Sequence, residues 1–514
     1  MNMANGRGYG SAGASQTKRA LKGFRAISTS PIEDINENNY TLRQRGRLMY
    51  MGAPIATSAI KTSRTNTIGL GLRVNPRPDM DVLHLTKEQA QGWTKTVKRE
   101  FAIWADSARA CDATGINNFY ELQQMLYTSW LMSGDVFVLI DHKDRSFRNP
   151  YGLRLKAIEA DRCATKGINI GTTSGTNPDN GNKIYDGVEI DKDGQPVAYW
   201  FRSTYPYEST MSATNWTRVE AVGAQTELPN VLHIVNTERP DQYRGVTYLA
   251  QAIEPLIQIS RYTNSELTAA LIESYFTAFV KTTEDASDVP FNEVGPEDEV
   301  GPEDEAERYD PNDYSMGPGQ MNVMNPGEDI VFGDPKRPAS GFEAFVKAIA
   351  TQVGAALEIP RDILLKEFNS SYSASRGALL EAWKSFRMYR TWFINDFCNP
   401  VYEIWLSEAV ALGRVKAPGF FSDRAIRQAW LGTQWIGPSQ GQLDPTKEIS
   451  AELLACQNGF STYADSALRI NGSDFDSNVD ELAKETERLR EIAPAQAPAV
   501  NTESEEKTEE ESDK

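Results

Sequence analysis

Residues 341–412 restrict the possible folds of this chain more than any other stretch. From Gly341 to Leu357, the residues Phe342, Phe345, Ile349, Val353 and Leu357 recur at helical spacing on one face. Glu358-Ile359-Pro360 then stops the helix, because proline disfavours helical backbone in the residue before it. A polar loop follows at Lys366–Ser375. Beyond it the sequence predicts a long helix from about Arg376 to Leu412, closed by Gly413. That helix is dense in aromatic residues and arginine (Trp383, Phe386, Tyr389, Arg390, Trp392, Phe393), and Pro400 must kink or divide it.

The 514 residues predict two to four domains, and a 40% hydrophobic content is ample for their cores. No run approaches 18 apolar residues, so no membrane span is expected. Residues 1–30 lack an apolar leader core, so no secretory signal is expected either. Cys111, Cys163, Cys398 and Cys456 are scattered and read as reduced thiols. Three histidines leave little for a histidine-based centre, and His233, inside an apolar strand, reads as a core residue. The formal charge of −18 argues against a protein that coats DNA, since such binding runs on Lys and Arg neutralising phosphates. A conduit along which DNA slides is compatible with it.

Two letter patterns mislead. Gly8–Gly13 satisfies GxGxxG, yet no strand precedes it and no acid follows about twenty residues later. Gly437–Gly441 satisfies GxSxG around Ser439, but a nucleophile elbow needs a strand before it and a helix after it. Phosphate-loop, zinc and calcium patterns are lacking, and no cofactor is expected.

Along the chain, a polar arm with Lys18, Arg19, Lys22 and Arg25 leads into a mixed α/β region from Leu42 to about Phe201. A second long helix is predicted from Leu249 to about Val280, with Pro255 either kinking it or lying in its first turn. Residues 293–304 are a tandem repeat, Glu-Val-Gly-Pro-Glu-Asp twice over, too acidic and Gly/Pro-rich to bury a core. A strand is predicted at Asp329–Phe332. Asp444-Pro445 caps the first of several C-terminal helices, and residues 493–514 form an acidic tail.

An ordered set of short motifs runs through residues 40–490. They are Arg43-Gln-Arg45-Gly-Arg47, Asn66–Leu72 read as a glycine-rich strand, and Gly134-Asp135 between a helix and a strand. Further on stand Tyr185-Asp186-Gly187, Leu232-His233-Ile234, Tyr243-Arg244-Gly245 and Pro326-Gly327-Glu328. With the helix, Glu-Ile-Pro stop, Ser-rich loop and aromatic helix, this series resembles the portal proteins of tailed bacteriophages, in particular the lambda-like family.

The resemblance implies an α+β portal-type fold that assembles into a ring. Its parts would be a flexible basic arm (1–39), an α/β wing (40–248), a first stem helix (249–279) and a clip with the acidic insert (280–340). A second stem helix (341–357), a tunnel loop (358–374), the wing's long helix and link (375–435), a helical crown (436–492) and a disordered acidic tail (493–514) would follow. It further implies a dodecamer at one capsid vertex of the virion, assembled in the host cytoplasm. Double-stranded DNA would be packaged through it by the terminase large subunit and later ejected, without enzymatic chemistry or a membrane. The capsid protein or scaffold and head–tail adaptors would be its other partners. DNA-channel candidates are Arg261, Lys347, Lys366, Phe368 and Tyr372. Partner-docking candidates are Glu293, Glu297, Asp298, Glu299, Glu303 and Asp304 of the repeat. Two other readings compete: a non-viral ring-forming or single-strand nucleic-acid scaffold using the aromatic helix, and an acidic hydrolase using Ser439.

Overall fold

The computed structural model describes residues 14–15, 18–24, 26–167, 173–208, 214–274, 278–282, 328–332, 341–368, 371–441 and 444–492. It divides into one unit of Met1–Leu256 with Ala350–Lys514 and a second of Ile257–Ile349. The architecture is mixed α/β.

In the first unit, α1 (Glu37–Gly52) and α2 (Pro54–Thr67) precede β1 (Arg73–Pro76), α3 (Met80–Leu83) and α4 (Lys87–Ala105). After the single turn α5 (Ala108–Cys111), α6 (Phe119–Ser133) leads directly into β2 (Asp135–His142) and then β3 (Leu153–Glu159). The next strands are β4 (Ser174–Thr176), β5 (Lys183–Tyr185), β6 (Val188–Ile190), β7 (Pro196–Arg202) and β8 (Trp216–Glu220). They pair antiparallel in chain order as one sheet, whereas β9 (Val231–Val235) returns to β2, giving the order β3–β2–β9. Phe137, Ile158 and Val231 of the smaller sheet share a core with Val188, Ile190, Tyr199 and Phe201 of the larger.

Helix α7 (Ile253–Ser274) starts in the first unit and continues into the second, which also holds the antiparallel pair β10 (Ala278–Thr282) and β11 (Glu328–Phe332). Helix α8 (Phe342–Ala356) starts in the second unit and ends in the first. Then come α9 (Arg361–Leu365), α10 (Tyr372–Phe393), α11 (Asn399–Ala411), α12 (Arg424–Leu431) and β12 (Thr433–Ile436). Strand β12 pairs with the distant β1. Helices α13 (Pro445–Gln457), α14 (Tyr463–Ile470) and α15 (Phe475–Ile492) close the described chain.

Several expected boundaries move, each for a local reason. Helical backbone begins near Pro31 rather than after residue 39, because Ser30 and Glu33 exchange reciprocal capping hydrogen bonds of 3.2 and 3.3 Å. Asn66–Leu72 is not a strand. It is the end of α2 and a turn with Gly69 and Gly71 at φ 58° and 110°, and extended pairing starts at Arg73. Helix α7 holds Pro255 in its first turn, where a missing N–H costs nothing, and it ends by Ser274. Phe279 and Val280, counted as helix from the sequence, pair with Val331 and Ile330, as their strand propensity favours. Between α10 and α11 the helix widens into one π-type turn, Ile394–Cys398. Pro400 cannot donate to the turn before it, so the expected division is accommodated there.

The aromatic residues of α10 and α11 form the core that the aromatic helix suggested. Trp383, Phe386, Phe393, Phe397, Tyr402 and Trp405 are all at most 3% exposed. Phe101 meets Trp405 at 4.9 Å edge-on, and Phe119 stacks on Phe397 at 5.6 Å. These buried rings offer no open face for a nucleic-acid base, while Tyr389 and Trp392 of the same helix are half-buried.

An unanticipated hub organises the five-stranded sheet. The fully buried Glu189 carboxylate accepts hydrogen bonds from Asn177, Asn180, Asn182, Trp200 and Arg218 at 2.7–3.1 Å, folding the asparagine-rich loop around itself. Burial pushes its pKa up, but these donors outweigh burial and bring it from 4.5 to about 2. Because the folded value lies below the unfolded one, this stabilisation is complete above the unfolded pKa and is lost as the pH falls toward 2. Glu189→Gln is therefore expected to cost about 2 kcal/mol at pH 7, with the difference shrinking at pH 3. Urea unfolding at both pH values checks this, and an equal loss at the two would refute it.

Candidate functional site

Five of the sequence motifs converge on one buried ionic node in the first unit. Helix α6 ends at Gly134, φ 95°, and its successor Asp135 opens β2 with its side chain fully buried. The Asp135 carboxylate accepts from Arg244 Nε at 2.6 Å and Nη2 at 3.1 Å, and from the Gly245 N–H at 3.1 Å. His233 of β9 approaches it at 3.3 Å. Arg244, itself without exposed surface, also donates to the carbonyls of Ala160, Cys163 and Asp186 and lies over the Phe137 ring at 5.2 Å. Asp186 bridges Arg244 at 3.0 Å and Arg43 of α1 at 2.8 Å.

Burial alone would raise the Asp135 pKa, but the charges of Arg244 and Arg43 and the hydrogen bonds outweigh it. The carboxyl is held well below its usual range. Burial lowers the His233 pKa against the pull of Asp135, so the ring sits neutral in the core, as expected of it. Every strong hydrogen-bonding group of the node is turned inward. Its chemistry is positional: it locks α1, β2, β9 and the turn before β6 together.

A second candidate region is the segment between α8 and α10. Glu358 (φ 53°) and Lys366 (φ 57°) bracket it in left-handed backbone. Its base is tied on three sides. The Tyr248 hydroxyl donates to the Leu357 carbonyl, Ser58 Oγ donates to Leu364 O at 2.8 Å, and Ser385 Oγ donates to Glu358 at 3.0 Å. Phe368 is 61% exposed, and Lys366, which caps α9, is exposed too. The expected loop over 358–374 is thus shorter. Arg361–Leu365 is helical, and Ser371 caps α10 so that Tyr372 falls in the first helical turn. The three hydrogen bonds hold the start of this segment in place while the Phe368 ring stays exposed.

Of the other channel candidates, Arg261 is exposed on α7 and Lys347 on α8 pairs with Glu343 at 2.6 Å. Both belong to the second unit, where Tyr262 packs on Phe342 and Phe345 at 5.5 and 4.7 Å. Lys366, Phe368 and Tyr372 belong to the first unit, so the described contacts do not unite the five. The repeat residues Glu293, Glu297, Asp298, Glu299, Glu303 and Asp304 lie outside the described residues, as do Gly8–Gly13 and the acidic tail. Around Ser439, β12 precedes the GxSxG pattern, but the next helix starts only at Pro445. Among the described residues no His, Cys, Asp and Glu group forms a metal site, and no helix is long and apolar enough to cross a membrane.

A family pattern described as "Phage portal protein, lambda family" matches residues 17–390. The chain belongs to this family. Portal proteins are structural components of the phage particle, not enzymes. The chain is 24% identical to the "Probable portal protein" of Halomonas phage phiHAP-1, over 89% of this chain and 82% of that one. It is 20% identical to "Portal protein B" of Escherichia phage lambda, over 85% and 81% respectively. Among solved structures it is similar to a chain in the neck of a native gene transfer agent particle, computed with C12 symmetry. That similarity has a TM-score of 0.41 and 14% identity, covering 85% of this chain and 94% of the other. The portal-family match ends inside α10, so α11–α15 lie beyond it.

Proposed function

We propose that this portal protein forms a dodecameric ring at one capsid vertex. Through the ring the terminase would package double-stranded DNA; the ring would later join head to tail and release the genome. The family match across residues 17–390 carries this reading. The α/β body with its buried node is the wing, α7 and α8 are the stem, and residues 280–340 are the clip. Residues 358–374 are the tunnel loop, with Phe368 exposed on it, and α13–α15 are the crown. Arg261, Lys347, Lys366 and Tyr372 are the basic and polar groups proposed to meet passing phosphates; few cations in a chain of charge −18 suit a duplex that must slide. Capsid or scaffold protein, terminase and adaptors are the proposed partners, and assembly is in the host cytoplasm.

Mass photometry with negative-stain electron microscopy tests the reading. Rings of about twelve subunits with a hole admitting a B-form duplex support it. A chain that stays monomeric across salt and concentration, and binds single strands, would remove it.

The proposed clip gives a further expectation. Deleting Glu293–Asp304 should leave ring assembly within about twofold of the parent, because a twelve-residue Gly/Pro/acid repeat contributes no packed core, while terminase or adaptor binding weakens. Rings failing to form would show that the repeat is part of the assembly itself.

A further inference from the structure

We propose that the cleft between α10 and the pair α13–α14 is a binding site for an acidic peptide strand, and that its occupant is the acidic segment 493–514 of the same chain. The inference concerns a contact within one chain and goes beyond the ring reading above.

The cleft has a volume of about 540 Å³, within the roughly 300–1,000 Å³ of ligand clefts. Helix α10 lines it with Arg376, Trp383, Lys384 and Arg387, whose spacing puts them on one helical face. The opposite wall carries Glu448 and Glu452 of α13 and Arg469 of α14. Four cations thus face two carboxylates, in a chain whose net charge is −18.

The two carboxylates do not use up the cations. Glu448 meets Arg376 at 3.6 Å, Glu452 meets Arg469 at 2.9 Å, and Lys384 reaches Glu381 on its own helix at 2.6 Å. Arg387 lies over the Trp383 ring at 5.9 Å, and among the described residues no carboxylate pairs with it. Trp383 is 3% exposed, and its indole N–H has no acceptor among the described residues. Buried donors are normally paired, so this wall of the cleft lacks an acceptor as well as a counter-charge. A carboxylate-rich strand supplies both.

Charge and reach select the occupant. Residues 493–514 carry seven acids against two lysines, all of them from Glu503 onward. Ile470 stands in the cleft wall five positions before Phe475, and α15 runs 18 residues to Ile492. At about 3.6 Å per extended residue and about 1.5 Å per helical one, Ile492 lies within about 45 Å of the cleft. Glu509, Glu510 and Glu511 stand far enough beyond Ile492 to span about 55 Å. A tether of this length holds the strand at an effective concentration far above that of a free partner.

The test uses the full chain. A fluorescein-labelled peptide of residues 501–514 is titrated onto the parent and onto a variant with Glu505, Glu506, Glu509, Glu510 and Glu511 all changed to Gln. The variant, whose own segment no longer competes, is expected to bind the peptide at least about tenfold more tightly. In that background Arg387→Glu, at an exposed position, should abolish binding without moving the thermal melt, and Arg387→Gln should weaken it about tenfold. Equal affinity for parent and variant, or no binding by either, overturns the proposal. Binding that survives both Arg387 changes places the peptide elsewhere and also overturns it. Displacement of the peptide by inorganic polyphosphate but not by polyglutamate would make the cleft a phosphate site instead. Ring assembly should be the same in all these proteins, so a failure here leaves the portal reading in place.

Discussion

Arg244→Leu is expected to cost about 3–5 kcal/mol of folding stability, because it strips the counter-charge from a fully buried carboxylate. Asp135 has no exposed side-chain surface, and Arg244 supplies two of its hydrogen bonds and its nearest positive charge. The same guanidinium also satisfies three backbone carbonyls, at Ala160, Cys163 and Asp186, which leucine would leave without their donor. Arg43 cannot substitute, since its own contact is with Asp186. Adding Asp135→Asn to Arg244→Leu should recover part of the loss, because the stranded charge is then gone. The pair should be less destabilised than the sum of the two single changes. Chemical unfolding of the four proteins measures the cycle. A single loss below about 1 kcal/mol would mean the node is not the internal brace described here.

Gly245→Ala is expected to be as damaging, by a different route. A Cβ at this position would lie 1.9 Å from the Gly134 carbonyl oxygen and 2.4 Å from its carbon. The obstruction is backbone, so no side chain can rotate away, and the loop segment carrying Arg244 must shift from Asp135. Overpacking costs about 1–3 kcal/mol where side chains can yield; here about 3 kcal/mol or more is expected, with the melting temperature falling to match. Gly52→Ala, where nothing lies within 4 Å of the added carbon, is the control and should be close to neutral. Equal melting temperatures for the two variants would show that the two backbones do not cross this closely.

The physical meaning of the motifs became clear only when they met in space. Gly134-Asp135, Tyr185-Asp186-Gly187, His233 and Arg244-Gly245 each read as short local patterns. Their local signals were real: a helix stop at Gly134, a turn at Gly187 with φ 87°, and an apolar strand around His233. Nothing local showed that Arg244 would find Asp135 across 109 positions, or that Arg43 would find Asp186 across 143. Glu189 escaped sequence reading for the same reason. Its signal is a cluster of asparagines seven to twelve residues upstream, which by itself says only loop.

Errors of boundary also had local causes. The Ser30–Glu33 capping pair extends the first helix backward into the basic arm, and Ser371 starts α10 within the stretch read as loop. Capping decides helix ends to within a residue or two, and several residues that can cap are present near each of these ends.

By itself the sequence determined the amphipathic helices of residues 341–412, the Glu-Ile-Pro stop and the break at Pro400. It determined the portal-like order of motifs too. These follow from periodicity, proline geometry and composition, which act over a few residues. The tertiary structure alone decided which aromatic residues of α10, namely Trp383, Phe386 and Phe393, are fully buried in that core. It also decided that the motif charges form one dry node and that α10, α13 and α14 bring four cations around one cleft. Those are matters of what lies opposite each side chain across the fold, and burial, unlike helical period, is set by partners distant in the chain.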